Sequence, residues 1–350
     1  MAEISGGEYI AAALRAEGMD TAFGIVDGTY LGFLSGLKKH NFRIVGPRHE
    51  TSAAHMAGAY ARLTGRPGLC FASNGPGVAN ILPGLTVEEA EGNRVFVVTS
   101  SRRTGITYPD RGGTYQYFDQ VGVIGALSKW SASAQSFERI PELFRSAMRE
   151  LYRGRPGVVH LDVPENLMNG KHDFPKPWKP GDYRSLVPAS PDPDSLEKAA
   201  GLLANARLPL IHAGSGIIHA GAYAELQRLA ELLAAPVTTS WAARGVLDER
   251  YPLAFPMVHV ELYHKLRKDA DAILILGSRI GETDWWGKEP YWRAPQKQSS
   301  IQVDIDERSL GRNKPAELLI KADVKVFLQR MCEILESKKK KIPIKKRRAL

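Results

Sequence analysis

Phe42-Arg43-Ile44-Val45-Gly46-Pro47-Arg48-His49-Glu50 opens the stretch whose reading decides the fold. Residues 42–46 read as a short strand that ends at Pro47. An Ala-rich helix is predicted from about Thr51 to Leu63, stopped by Gly65. Gly68-Leu69-Cys70-Phe71-Ala72 is a further strand, running into Asn74-Gly75-Pro76-Gly77. It carries no polar alternation, as expected of a strand covered on both faces.

The same pattern extends outward in both directions. Thr21-Ala22-Phe23-Gly24-Ile25-Val26 reads as a strand ending at Asp27-Gly28, and Val95-Phe96-Val97-Val98-Thr99 as another. Val158 to Pro164 follows a helix near Glu142 to Tyr152. Six prolines in the stretch from Phe174 through Pro193 predict an extended linker. A second alternating unit then begins. It has an amphipathic helix from Ser195 to Ala206 and a strand from Leu208 to Gly214. A helix from Ala222 to Ala234 carries Leu226, Leu229, Leu232 and Leu233 at helical spacing. Strands follow at Pro236–Thr239, Ala272–Gly277 and Ile301–Asp306, then a last helix from about Val324 to Ile334. The fold class expected is α/β, with two doubly wound domains, each a mainly parallel sheet flanked by helices. The boundaries expected are residues 1–172, a Pro-rich linker 173–189, a Rossmann-like domain 190–336 and a basic tail 337–350.

Composition agrees with this organisation. The 350 residues predict two or three domains. No apolar run reaches the length of a membrane helix, and the N-terminus has neither the basic nor the apolar region of a secretory signal. Cys70 and Cys332 are the only cysteines, too few for a disulfide framework or a zinc cluster, so a reducing, cytoplasmic setting is expected. The net charge of +9 is concentrated at the end: Lys338 to Lys341, Lys345, Lys346, Arg347 and Arg348 hold eight of the 47 basic residues, leaving 39 against 38 acidic ones. Such a tail reads as a solvated terminus, because the body lacks the basic stripe that nucleic acid would require; no nucleic-acid partner is expected.

Several positions carry chemistry. Glu50 stands at a strand-to-helix junction on the edge where open α/β sheets place ligands. A carboxylate buried there would have a raised pKa and would share a proton with a ligand nitrogen; the alternative is a first-turn glutamate favoured by the helix dipole. Asn74-Gly75-Pro76-Gly77 is a turn whose glycines admit close approach of a ligand, or a plain tight turn. Gly214-Ser215-Gly216-Ile217-Ile218-His219 has two glycines of a dinucleotide fingerprint, with His219 at the third position. Asp304 and Asp306 end a later strand, where a ribose hydroxyl would be met. The alternative is a structural glycine turn. His49 and His55 are read as structural, and no protein-only metal site is predicted. Neither a nucleophile elbow nor a phosphate-binding P-loop occurs.

In sequence order, these pieces resemble the thiamine-diphosphate-dependent enzymes of the acetolactate synthase and benzaldehyde lyase type, over residues 1 to about 335. The block from Arg48 to Arg62 looks like the family's pyrimidine-domain block. Asn74 to Asn80, Tyr115 to Val121 with Ser128-Lys129-Trp130, and Gly154 to Pro164 are similar to the blocks that follow. Leu276-Gly277-Ser278-Arg279 and Val303-Asp304-Ile305-Asp306, with Gly311 and Asn313, resemble the central domain.

The resemblance implies a catalytic role for Glu50, which matches the glutamate that hydrogen-bonds N1′ of the aminopyrimidine and promotes its imino tautomer. The 4′ nitrogen then takes the proton from C2 of the thiazolium, the electron sink of the reaction. Gln116 matches a substrate-facing glutamine. Val26, Asp27, Gly28 and Thr29 match the loop walling the pocket, and Asn74, Gly75, Pro76, Gly77 and Asn80 complete the cofactor-binding set. In the central domain Gly214, Gly216, Arg279 and Asp304 are the candidates for FAD or ADP. Two departures bear on the substrate. Arg111-Gly112-Gly113-Thr114 replaces the histidine pair of pyruvate decarboxylases, and Asp27 stands where synthases often have glycine. The family's diphosphate domain is marked by Gly-Asp-Gly, which is absent here; the only Gly-Asp is Gly181-Asp182. The expectation is a subunit of a split C–C lyase or carboligase acting on 2-oxo acids or 2-hydroxy ketones. A separate subunit would hold Mg²⁺ and the diphosphate, and the chain would self-associate as a homo-oligomer. A truncated full-length enzyme and a non-catalytic regulatory relative are the alternatives.

Overall fold

The computed structural model describes residues 3–107, 111, 112, 114–338 and 342–350. Two compact units divide between Leu186 and Val187. The first contains β1 (Ile4–Ser5), β2 (Thr21–Gly24), β3 (Arg43–Val45), β4 (Gly68–Ala72), β5 (Val95–Ser101), β6 (Trp130–Ser133), β7 (Val158–Pro164) and β8 (Lys171–His172). Its main sheet has the order β3-β2-β4-β5-β7-β6, parallel throughout, and β1 pairs antiparallel with β8. The second unit contains β9 (Pro209–Ala213), β10 (Val237–Thr239), β11 (Ala254–Phe255), β12 (Ala272–Leu276), β13 (Ser299–Asp304) and β14 (Leu318–Lys321). Their order is β11-β10-β9-β12-β13-β14, again parallel. This is the α/β architecture expected.

Burial follows the reading of the apolar runs. Every residue of β4 and β7 is buried, because helices cover both faces of the sheet. Phe71 and Phe96 are wholly buried there, and each such side chain contributes roughly 1.5–3 kcal/mol of apolar burial. Among the described residues no helix is long and apolar enough to cross a membrane.

Three local expectations change. The strand expected to reach Val26 stops at Gly24, and Val26 is two-thirds exposed. The stretch expected as linker is partly anchored: Phe174 is buried and stacks on Tyr9 with ring centroids 4.8 Å apart, and Arg184 pairs with Glu17 at 2.6 Å. The tail is not wholly solvated. Arg347, in a short helix Ile344–Arg348, is 4 % exposed. Its guanidinium donates to the carbonyls of Leu203, Ala204 and Ala206, where one helix ends, and of Leu233, the end of another. Those carbonyls lack intrahelical partners, so a buried cation that satisfies several of them is held by its own hydrogen bonds.

Candidate active site

The order of the first sheet locates a crevice. The chain leaves β2 for β3 on one side and returns to β4 on the other. Ligands of open α/β sheets bind beyond the strand ends at such a reversal. The strands being parallel, the loops after β2 and β4 and the start of the helix that follows β3 all leave the sheet on that edge.

That helix, Glu50–Thr64, buries only small residues, among them Ala53, Ala54, Ala57, Gly58 and Ala61. The helix Pro76–Glu91 therefore packs closely against it. A Cβ on Gly84 would lie 2.6 Å from the carbonyl oxygen of Thr51. The crossing brings the two N-terminal turns together. Asn80 Nδ2 donates to Glu50 Oε2 at 3.1 Å, and Thr51 Oγ1 donates to the Asn80 carbonyl at 2.5 Å. His49 caps the first helix, its Nδ1 accepting from the Thr51 N–H at 3.2 Å, and His55 Nδ1 lies 2.8 Å from Glu88 Oε1. Glu50 is half-buried, not enclosed as expected. Its Oε1 lies 3.5 Å from where a Cβ on Gly77 would sit, an ordinary contact, whereas Ser73 Oγ would lie only 2.7 Å away.

The Asn74–Gly77 segment is more than a turn, because Pro76 is the first residue of the helix and Gly75 its N-cap. Proline suits that position, since its missing N–H has no intrahelical partner there. Gly75 has φ +68°, and a Cβ on it would lie 2.5 Å from Gln116 Cα. Gln116 is thereby laid on the Gly75 backbone. Asn74 is buried, and neither polar atom of its side chain has a hydrogen-bond partner among the described residues. An unmet buried amide costs on the order of 1–3 kcal/mol, which a bound polar group would recover.

On the β2 side, Asp27 Oδ1 accepts from the Thr29 N–H at 2.8 Å, fixing the loop Gly28–Tyr30. Tyr30 is buried and its hydroxyl donates to the Ile25 carbonyl. Burial, then the carboxylates of Asp27 and Glu50, push its pKa upward. A Cβ on Gly28 would meet nothing within 4 Å. Val26 instead lines a groove of about 640 Å³ with Leu34, Lys38, Phe42, Arg43 and Ile44.

Sequence reading missed a buried polar cluster behind these loops. Asp162 accepts from Thr99 Oγ1 (2.9 Å), Ser101 Oγ (2.7 Å), Ser133 Oγ (2.6 Å) and Gln120 Nε2 (2.5 Å). Burial raises its pKa and these donors oppose the rise. His160 is held between Thr99 Oγ1 at 2.7 Å and Ser131 Oγ at 2.8 Å. The signal was there: His160 and Asp162 are two apart in an otherwise apolar strand, hence on one covered face.

In the second unit the four candidates divide. A Cβ on Gly214 would lie 2.2 Å from the Gly277 carbonyl oxygen, and one on Gly216 2.6 Å from Gly277 Cα. Both glycines are thus required by the close approach of the β9 and β12 ends, without any ligand. Asp304 Oδ1 accepts from the Asp306 N–H at 2.9 Å, and Asp306 pairs with Arg308. Arg279 is exposed, and its carbonyl accepts from Asn313 Nδ2 at 2.9 Å.

Among the described residues no three His, Cys, Asp or Glu side chains gather as metal ligands. The first-unit residues suit the aminopyrimidine end of thiamine diphosphate. Glu50 offers an acceptor, the orphaned Asn74 amide offers donor and acceptor, and Gly28 leaves room.

The family described as thiamine pyrophosphate enzyme, N-terminal TPP binding domain, matches residues 4–123, and its central domain matches residues 196–331. A probable acetolactate synthase large subunit of Methanocaldococcus jannaschii is 33% identical over 335 residues, 93% of this chain and 55% of that protein. A probable 2-ketoarginine decarboxylase of Pseudomonas aeruginosa is 32% identical over 329 residues, 93% of this chain and 57% of that protein. The chain spans about half the length of the curated relatives it matches. A structure described as a putative thiamin diphosphate-dependent enzyme from Mycobacterium smegmatis has the same fold, with TM-score 0.79 and 22% identity, over 95% of this chain and 63% of that one.

Proposed function

Because the chain belongs to the thiamine pyrophosphate enzymes, as their N-terminal and central domains, we propose that it is the pyrimidine-binding part of an acetolactate synthase-like lyase or carboligase. Its substrates are 2-oxo acids or 2-hydroxy ketones. The relatives include a synthase subunit and a 2-ketoarginine decarboxylase by description, and the second name refers to a 2-oxo acid. When bound, thiamine diphosphate supplies an electron sink for making or breaking a bond beside a carbonyl carbon. Glu50 holds and moves a proton at N1′ of the aminopyrimidine. Asn80 orients its carboxylate, and the Asn74–Gly77 segment, exposed at Pro76, lies beneath the ring. Gln116, laid on Gly75, faces the substrate. A separate chain supplies the diphosphate and Mg²⁺ contacts, and copies of this chain associate with one another.

The observation that carries the reading is the Glu50 carboxylate, tethered through one oxygen to Asn80 and open at the other beside Gly77. The test is turnover of a 2-oxo acid by this chain reconstituted with a diphosphate-binding chain. Glu50→Gln should lower it on the order of 10²-fold or more, as for a positioned proton-transfer group, while the thermal midpoint stays unchanged. Undiminished turnover overturns the reading.

A further inference from the structure

The two pocket loops are joined behind the site through Gln120 and Ser100. Gln120 opens the short helix Gln120–Gly125 and is 4 % exposed. Its amide Nε2 has two hydrogens to give. Two short bonds are available, to Asp162 Oδ1 at 2.5 Å and to the Ser100 carbonyl at 2.7 Å, with Thr99 Oγ1 further off at 3.3 Å. Ser100 is fully buried, and its Oγ lies 2.7 Å from Thr29 Oγ1. Thr29 in turn is bound to Asp27 through its N–H. An unbroken path therefore runs from the segment carrying Gln116, through Gln120 and Ser100, to the loop carrying Asp27. Asp162 anchors it to β7, and the front of the Gln116 segment rests on Gly75.

We propose that Gln120 is a positioning residue that fixes the Gln116 segment and the Asp27 loop in one frame, so that the two walls of the pocket hold their spacing together. This rests on the reading of Glu50, Gln116 and Asp27 as one pocket. An apolar side chain at 120 leaves the Ser100 carbonyl without its amide donor and Asp162 short of one of four donors. Inside a protein such groups are expensive to leave unmet, and the loops relax to meet them otherwise. Gln120→Met is the near-isosteric change.

The experiment is hydrogen–deuterium exchange on the full chain, comparing wild type, Gln120→Met, Thr29→Val and the double variant. Gln120→Met should raise exchange at residues 26–30 as well as 114–121, by roughly tenfold for the loss of one hydrogen bond. β4 and the second unit should be unaffected. Thr29→Val should raise exchange at 114–121 from the opposite end, and it serves if Gln120→Met does not fold. The double variant should exceed neither single by the product of both, because coupled sites are not additive. Exchange that rises only at residues 120–125, or rises additively, overturns the proposal. With the reconstituted enzyme, Gln120→Met should lower kcat about tenfold, with KM little changed, as for a lost orientation of groups already present. Coupled exchange with unchanged kcat also overturns it. Glu50→Gln run alongside reports on the pocket itself: if that variant too is fully active, it is the functional reading that has failed.

Discussion

Gly75 and Gln116 meet backbone to backbone: a Cβ on the glycine would stand 2.5 Å from the Cα of the glutamine. The contact joins the start of the helix Pro76–Glu91 to the segment that precedes Gln120. It makes the placement of Gln116 a property of position 75, where φ is +68°. Gly75→Ala should therefore be damaging twice over, by strain in a left-handed conformation and by displacing Gln116. A destabilisation of about 1–3 kcal/mol is expected, together with loss of turnover well beyond that of a variant equally destabilised elsewhere. Denaturant unfolding and steady-state kinetics on the same preparations check it.

A pH dependence follows from His160. Burial holds its imidazole at about 3, against roughly 6.5 when unfolded. Between those values the unfolded chain binds a proton that the folded chain does not. The stability is fully present above about 6.5 and is lost as pH falls toward 3, by up to about 1.4 kcal/mol per pH unit. His160→Gln keeps groups that can bond Thr99 and Ser131 and removes the titration. Its thermal midpoint should fall less steeply than that of the wild type between pH 6.5 and 4. Parallel profiles would refute the assignment.

Arg347→Ala removes the side chain that satisfies carbonyls at two helix ends. A loss of roughly 3 kcal/mol from the second unit is expected, whereas Lys345→Ala and Lys346→Ala, both exposed, should fall within about 0.5 kcal/mol of wild type. Calorimetric unfolding of the three variants distinguishes an anchored arm from a solvated one.

Gly214→Ala tests what the glycine pair is for. Its Cβ would strike the Gly277 carbonyl at 2.2 Å, so nucleotide-free protein should already lose about 1–3 kcal/mol. Thermal scans with and without FAD or ADP separate the cases. A variant as stable as wild type without nucleotide would return Gly214 to the role of a phosphate turn.

The amino-acid sequence by itself determined the elements whose signals are local. β4 is legible because a short, unbroken apolar run bounded by turn residues reads as a strand covered on both faces. Glu50 is legible as the opening of a helix because the strand, Pro47, the Ala-rich run and Gly65 all lie within one short stretch. What only the tertiary structure decided is which distant groups meet. Nothing near Gln116 announces Gly75, and nothing near Gly214 announces Gly277, since backbone contact between strand ends leaves no period in either segment. Gln120 looks like an ordinary polar residue until the sheet brings the Ser100 carbonyl and Asp162 to it. Arg347 looks like part of a solvated basic run until two helices present their carbonyls to it. Periodicity and turn chemistry act over a few residues, whereas a buried polar group is satisfied by whatever the fold carries to it.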